Sequence, residues 1–139
     1  MELTNAHVLV VDDEFGMREG MKRLLELQGL KVDTAAGGAE GIEKGLAREY
    51  DLYFIDLKMP DFDGAEVLRS IKLAYPEAIC VVVTAFASID SAVTTTQLGA
   101  YRYIPKPFDP EELNSIVKTA LERRALILET RQLQEERQK

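Results

Sequence analysis

Asp51-Leu52-Tyr53-Phe54-Ile55-Asp56-Leu57-Lys58-Met59-Pro60 is a short apolar run that carries one acid to its far end and is then stopped by proline. Leu, Tyr, Phe and Ile follow one another without polar alternation, the pattern of a strand covered on both faces, as in parallel sheets packed between helices. Asp56 therefore stands at a strand exit. In open α/β sheets ligands bind beyond the carboxyl ends of the strands, so an acid placed there is exposed chemistry on a rigid mount.

The rest of the chain repeats this plan. Val8-Leu9-Val10-Val11 is a buried-strand run ending in Asp12-Asp13-Glu14. Met17, Met21, Leu24, Leu25 and Leu27 are spaced for one helical face, and Gly29 is placed to close that helix. Lys31 to Ala36 predicts a second strand, Gly37-Gly38 a turn, and Ile42 and Leu46 a helix leading into the 51–55 strand. After Pro60, Asp63 and Glu66 predict a capping pair for a helix carrying Val67, Leu68 and Ile71, ended by Tyr75-Pro76. Asp61 and Asp63 read as turn and cap residues. Ile79 to Val83 is a fourth strand delivering Thr84, and Ala92, Val93 and Leu98 mark a helix ended by Gly99, its propensity lowered by Thr94-Thr95-Thr96. Tyr101 to Pro105 is a fifth strand delivering Lys106, with Pro105 suited to a sheet edge. Asp109-Pro110-Glu111-Glu112 opens the last helix with an N-cap acid, proline in the first turn and acids at the positive end of the dipole.

Five strands alternating with five helices predict an α/β fold: a doubly wound parallel five-stranded sheet in the flavodoxin-like order 2-1-3-4-5, with right-handed crossovers. Residues 1–122 make the domain. Residues 123–139 extend its last helix as a linker, because they are rich in helix formers and free of glycine and proline. Leu121 and Leu128, and separately Leu126 and Leu133, are seven apart, compatible with a coiled-coil seam or a solvated spacer.

With 139 residues, 46% of them hydrophobic, the chain suits one domain with an ordinary core. A net charge of -7 and a pI near 4.8 argue against direct contact with nucleic acid or anionic lipid and favour a cation site. Cys80 is the only cysteine, set beside Val81-Val82-Val83, and is expected to be buried and inert, with no disulfide or thiolate metal site. His7 is expected on the surface. No apolar run is long enough to span a bilayer and the N-terminus lacks signal-peptide character, so a cytoplasmic location and no membrane contact are expected.

Strands one, three, four and five each exit into polar residues, which should bring Asp12, Asp13, Asp56, Thr84 and Lys106 to one edge. Three adjacent carboxylates need protonation or a bound cation, and an oxygen-only set suits Mg²⁺. A carboxylate beside such an ion is a nucleophile for phosphoryl transfer. Asp56 would take the group, Lys106 and the Thr84 hydroxyl would meet its oxygens, and Tyr103 is the aromatic able to swing toward the space that Thr84 vacates.

Val10-Val11-Asp12-Asp13-Glu14, Asp56-Leu57-Lys58-Met59-Pro60 with Asp63-Gly64, Val83-Thr84-Ala85 and Lys106-Pro107-Phe108 resemble the receiver domains of two-component response regulators, over about residues 5–122. The resemblance implies that Asp56 accepts phosphate from a phosphohistidine on a sensor histidine kinase. It implies that Asp13, Asp56 and the Lys58 main-chain carbonyl bind Mg²⁺ while Asp12 assists. Thr84 and Tyr103 match the switch pair, Lys106 the family lysine, and the Lys106-Pro107 peptide is expected to be cis. Catalysis would extend only to the chain's own phosphorylation and dephosphorylation. A phosphatase of the haloacid dehalogenase type would need Asp-x-Asp, where this chain has Asp56-Leu57-Lys58.

The segment from Thr84 to Val93, Leu98 to Tyr103 and the long terminal helix are most similar to the N-terminal receivers of sigma-54-dependent transcriptional activators. That likeness implies an output domain beyond the linker. It also implies a homodimer through the fourth helix, fifth strand, fifth helix and linker.

Overall fold

A computed structural model describes residues 5–138. Residues 1–4 of the expected domain, Lys139 of the expected linker, and the first residues of the N-terminus read for a signal peptide lie outside it.

Ten elements alternate along the chain: β1 His7–Val11, α1 Phe15–Leu27, β2 Lys31–Ala35, α2 Gly38–Ala47, β3 Leu52–Asp56, α3 Gly64–Ala74, β4 Cys80–Thr84, α4 Ile89–Gln97, β5 Arg102–Pro105 and α5 Pro110–Arg137. All strand pairings are parallel, in the order β2-β1-β3-β4-β5, as expected. Pro105 falls on an edge strand, where a missing N–H costs no ladder bond.

Strand alternation splits the core into two layers. Val8, Val10, Leu52, Phe54, Val81 and Val83 face Met21 and Leu25 of α1 and Leu113, Val117 and Leu121 of α5. Leu9, Val11, Tyr53, Ile55, Cys80 and Val82 face Val67, Leu68 and Ile71 of α3. Every residue of β3 and β4 is buried, which is why these strands carry no polar alternation. Each fully buried aliphatic contributes roughly 1.5–3 kcal/mol of transfer free energy. Cys80 has no exposed surface, as expected, and burial pushes its thiol up to about 12, which disfavours the thiolate.

Local signals behaved unevenly. Gly29 and Gly99 close α1 and α4 with φ of 87° and 102°, the left-handed geometry that favours glycine. Asp109 caps α5 by accepting from Glu112 N–H at 2.8 Å. Asp63 caps α3 by accepting from Ala65 N–H at 3.0 Å, but the expected reciprocal bond from Glu66 is replaced by an ion pair to Arg69 at 2.6 Å. Gly37-Gly38 is a helix start rather than a free turn. A Cβ on Gly38 would lie 2.3 Å from Phe62 Cβ, so the glycine lets α2 pack under the β3–α3 loop. Asp61 reaches across to cap that helix, accepting from Gly38 and Ala39 N–H at 2.9 and 3.0 Å. His7 is half-buried, its ring edge-on to Tyr50.

Helix α5 runs for 28 residues, about 42 Å, without a break at the expected domain boundary. Of the leucines spaced by seven, Leu121 belongs to the core, whereas Leu126 and Leu133 are exposed.

Candidate functional site

Parallel register assembles the site. Val11 pairs with Ile55, so the residues that follow them, Asp12 and Asp56, leave the sheet abreast. Asp56 pairs with Val83, and Thr84 pairs with Pro105, which places Thr84 and Lys106 at the next two strand ends. One oxygen each from Asp12, Asp13 and Asp56 lies within 4.8 Å of the others. Asp12 and Asp56 are buried and Asp13 is exposed. The Lys106 ammonium donates to Asp12 Oδ2 at 2.9 Å and to Asp56 Oδ2 at 3.4 Å.

The surrounding backbone holds these groups in place. Asp12 Oδ1 accepts from Glu14 N–H at 2.9 Å, and the Asp12 carbonyl accepts from Arg18 Nη1 at 2.9 Å. Lys106 N–H donates to the Thr84 carbonyl at 2.7 Å, and the Lys106-Pro107 peptide is cis, as the resemblance implied. Asp56 Oδ1 accepts a long bond from Lys58 N–H at 3.4 Å, and Lys58 bridges back to Asp63 across the loop. Gly64 closes that loop. A Cβ there would sit 2.1 Å from the Asp56 carbonyl oxygen, so any larger residue must displace the backbone that carries the acid.

Electrostatics mark Asp56 as under-compensated. Burial, opposed by the nearby Lys106 charge and reinforced by Asp12, raises its carboxyl above the usual carboxylate range. Burial works against the charge of Lys106, but the bond to Asp12 and the charges of Asp12 and Asp56 outweigh it and hold the ammonium above the ordinary lysine value. One ammonium is shared by two of the three clustered carboxylates, Asp12 and Asp56. The donor set is oxygen only, partly buried, and open at Asp13, so the residues fit a hard divalent cation with retained water better than a thiophilic metal.

Two predicted residues stand apart from the carboxylates. Thr84 is fully buried and its hydroxyl oxygen accepts from Phe86 N–H at 3.1 Å. Tyr103 is half-buried, its hydroxyl bonded to Ser91 Oγ at 2.5 Å and accepting from Ser88 N–H at 3.2 Å. Ser88 and Ser91 also form a reciprocal capping box on α4, so Tyr103 is tied to the start of that helix. Sequence reasoning missed both serines, although Ser-x-x-Ser before a helix is a weaker form of the usual capping signal. It also missed Arg18, whose only sequence cue is its position one turn after Glu14.

A family model described as the response regulator receiver domain matches residues 8–118. The DNA-binding transcriptional regulator NtrC of Escherichia coli K12 is 37% identical over 114 residues, covering 82% of this chain and 24% of that protein. A CheY-like receiver domain protein from Methanospirillum hungatei superposes with a TM-score of 0.84 at 32% identity, covering 86% of this chain and 96% of that one. NtrX from Brucella abortus gives 0.84 at 31% identity, with 93% of this chain and 30% of that one covered. The chain spans about a quarter of the length of the curated regulators that it matches first. These regulators are of the kind that the sequence resemblance indicated.

Proposed function

The chain belongs to the response regulator receiver domain family, and from that premise we propose that it is the phosphoacceptor of a two-component pathway, taking a phosphoryl group from a phosphohistidine of a sensor histidine kinase onto Asp56. The observation that carries this reading is the grouping of Asp12, Asp13 and Asp56, with one ammonium bonded to Asp12 and Asp56 and with Asp56 held on a buried strand end. An ionised Asp56 oxygen attacks phosphorus in line. The P–O bond forms as the P–N bond breaks, and the imidazole leaves with the electron pair and takes a proton. Phosphoryl transfer is governed by positioning and charge neutralisation, so no separate general base is needed.

Lys106, already 3.4 Å from Asp56 Oδ2, meets one phosphoryl oxygen as a compact cation. Thr84 Oγ1 accepts from Phe86 N–H and so keeps its own proton for donation to another. Asp13, Asp56 and the Lys58 main-chain carbonyl would hold Mg²⁺, with Asp12 assisting. When bound, the ion neutralises charge on the remaining oxygens.

Movement of Thr84 toward the new group opens space that Tyr103 fills by leaving Ser91 and Ser88, loosening the start of α4. Phe86, Ile89 and Val93, exposed on that side, support a homodimer through α4, β5, α5 and the linker as the carrier of the signal. The output is proposed to be a sigma-54-dependent transcription activator reached through α5. Catalysis is confined to the chain's own phosphorylation and dephosphorylation. Among the described residues no helix is long and apolar enough to cross a membrane.

Incubating the chain with Mg²⁺ and acetyl phosphate and measuring its intact mass tests the reading. One phosphoryl adduct is expected, dependent on Mg²⁺ and absent in Asp56→Asn. No adduct on the unaltered chain, or an adduct that survives the substitution, would overturn it.

A further inference from the structure

At the sheet edge opposite the phosphoacceptor, a second set of charged groups joins α5 to the loop before β3. Arg124, 5% exposed, donates from Nε to Asp51 Oδ1 at 2.9 Å and from Nη1 to Glu49 Oε2 at 3.1 Å. Two helical turns later Arg131, 34% exposed, closes on the same carboxylate: Nη1 to Glu49 Oε1 at 2.9 Å and Nη2 to Oε2 at 2.8 Å, with Nε reaching Glu77 Oε1 at 3.0 Å. The other Asp51 oxygen accepts from His7 N–H at 2.9 Å, which ties the group to β1. Fork-to-fork pairing of guanidinium and carboxylate fixes orientation as well as distance.

We propose that these arginines form a two-stage anchor for the C-terminal helix, with Arg124 a permanent pin and Arg131 a releasable latch that decides whether residues 128–138 move rigidly with the receiver or swing free. The difference between the stages follows from water. Arg124 is shielded, so added salt has little access to its pairs, whereas the bonds of Arg131 are one-third exposed and lie within reach of screening. Apolar burial cannot replace the latch, because Ile127 and Leu128 are only partly buried, Leu126 and Leu133 are exposed, and every described side chain after Arg131 is exposed. Closed, the latch makes α5 a lever whose direction is set by the receiver. Open, it leaves a tether. The Glu49–Asp51 loop leads directly into β3, so one five-residue strand has the anchor at its start and Asp56 at its end, about 17 Å apart.

Hydrogen–deuterium exchange of the full chain, read by mass spectrometry on peptides covering 113–127 and 128–138, tests the two stages. In dilute salt the 128–131 amides are expected to exchange about threefold more slowly than in Arg131→Ala or Glu49→Gln, while 113–127 is unchanged in Arg131→Ala. About 1 M salt should reproduce the effect of Arg131→Ala on the unaltered chain. Arg137→Ala, at an exposed site beyond the latch, is expected to do nothing. Equal exchange in the unaltered chain and Arg131→Ala, or salt loosening both peptides together, would overturn the proposal. Phosphoryl incorporation at Asp56 should persist in each variant, so the anchor and the phosphoacceptor reading fail independently.

Discussion

The two ends of the β-sheet carry the same kinds of residue in different balance. At the carboxyl end Asp12, Asp13 and Asp56 cluster beside one lysine ammonium that bonds Asp12 and Asp56, and Asp56 is pushed toward its neutral form by burial. At the amino end Glu49, Asp51 and Glu77 meet two arginines, and Glu49 is held below the usual carboxylate range by its bond to Arg131, against the opposing effect of burial and with help from Arg124. The first group is short of positive charge and flexible in what supplies it. The second is closed. Acidic clusters thus become reactive or structural according to whether the fold brings enough cation to them, and Arg rather than Lys does the closing because its planar fork satisfies two oxygens at once.

Matched charge removals at the two ends give the largest contrast. Asp56→Asn should abolish phosphoryl incorporation, while Glu49→Gln should leave it intact, as read by intact mass after acetyl phosphate treatment. If both variants lost the adduct, the ends would not be independent.

Stability should reverse the ranking. Arg124→Ala strands Asp51 and part of Glu49 at a buried site and is expected to cost about 3 kcal/mol in urea unfolding, the range for breaking a buried pair. Arg131→Ala, at a more exposed pair, should cost under about 1 kcal/mol. Near-equal losses would mean that the two arginines are one unit.

Only the under-compensated end should respond to a divalent cation. Mg²⁺ at about a hundred times its dissociation constant should stabilise the chain by about 2.7 kcal/mol, an effect lost in Asp13→Asn and retained in Arg131→Ala. Thermal unfolding with and without the ion checks it.

Acid should loosen the closed end only at low pH, and this is the smallest effect expected. Because the folded-state pKa of Glu49 lies below its unfolded value, its contribution is fully present above the ordinary glutamate range and is lost as pH falls through the folded value. Protection of the 128–131 amides, taken relative to intrinsic exchange at each pH, should fall over that acid window, and Glu49→Gln should remove the step.

Much of the carboxyl end was legible because its chemistry is local to strand ends. An apolar run followed by an acid, a threonine or a lysine states both the strand and its exit, so Asp12, Asp13, Asp56 and Lys106 needed only the parallel register to come together, with Thr84 at the neighbouring strand end. Tyr103 was legible as a residue but not in its attachment, since nothing in its own neighbourhood points to Ser91 twelve positions earlier. Gly64 was visible beside the Asp63 cap, yet its need to be glycine depends on the Asp56 carbonyl lying 2.1 Å from where a Cβ would be.

By itself the sequence determined the alternation of buried strands and helices, the strand order and the acidic exits, because periodicity, caps and glycine or proline stops act within a few residues. Tertiary structure alone decided that Leu121 is core while Leu126 and Leu133 face solvent, that Asp61 caps a helix 22 or 23 residues before it, and that Glu49 is gripped by arginines 75 and 82 residues away. Whether a carboxylate is paired depends on which cation arrives across space. That is a property of the folded packing and leaves no mark on the residues beside it.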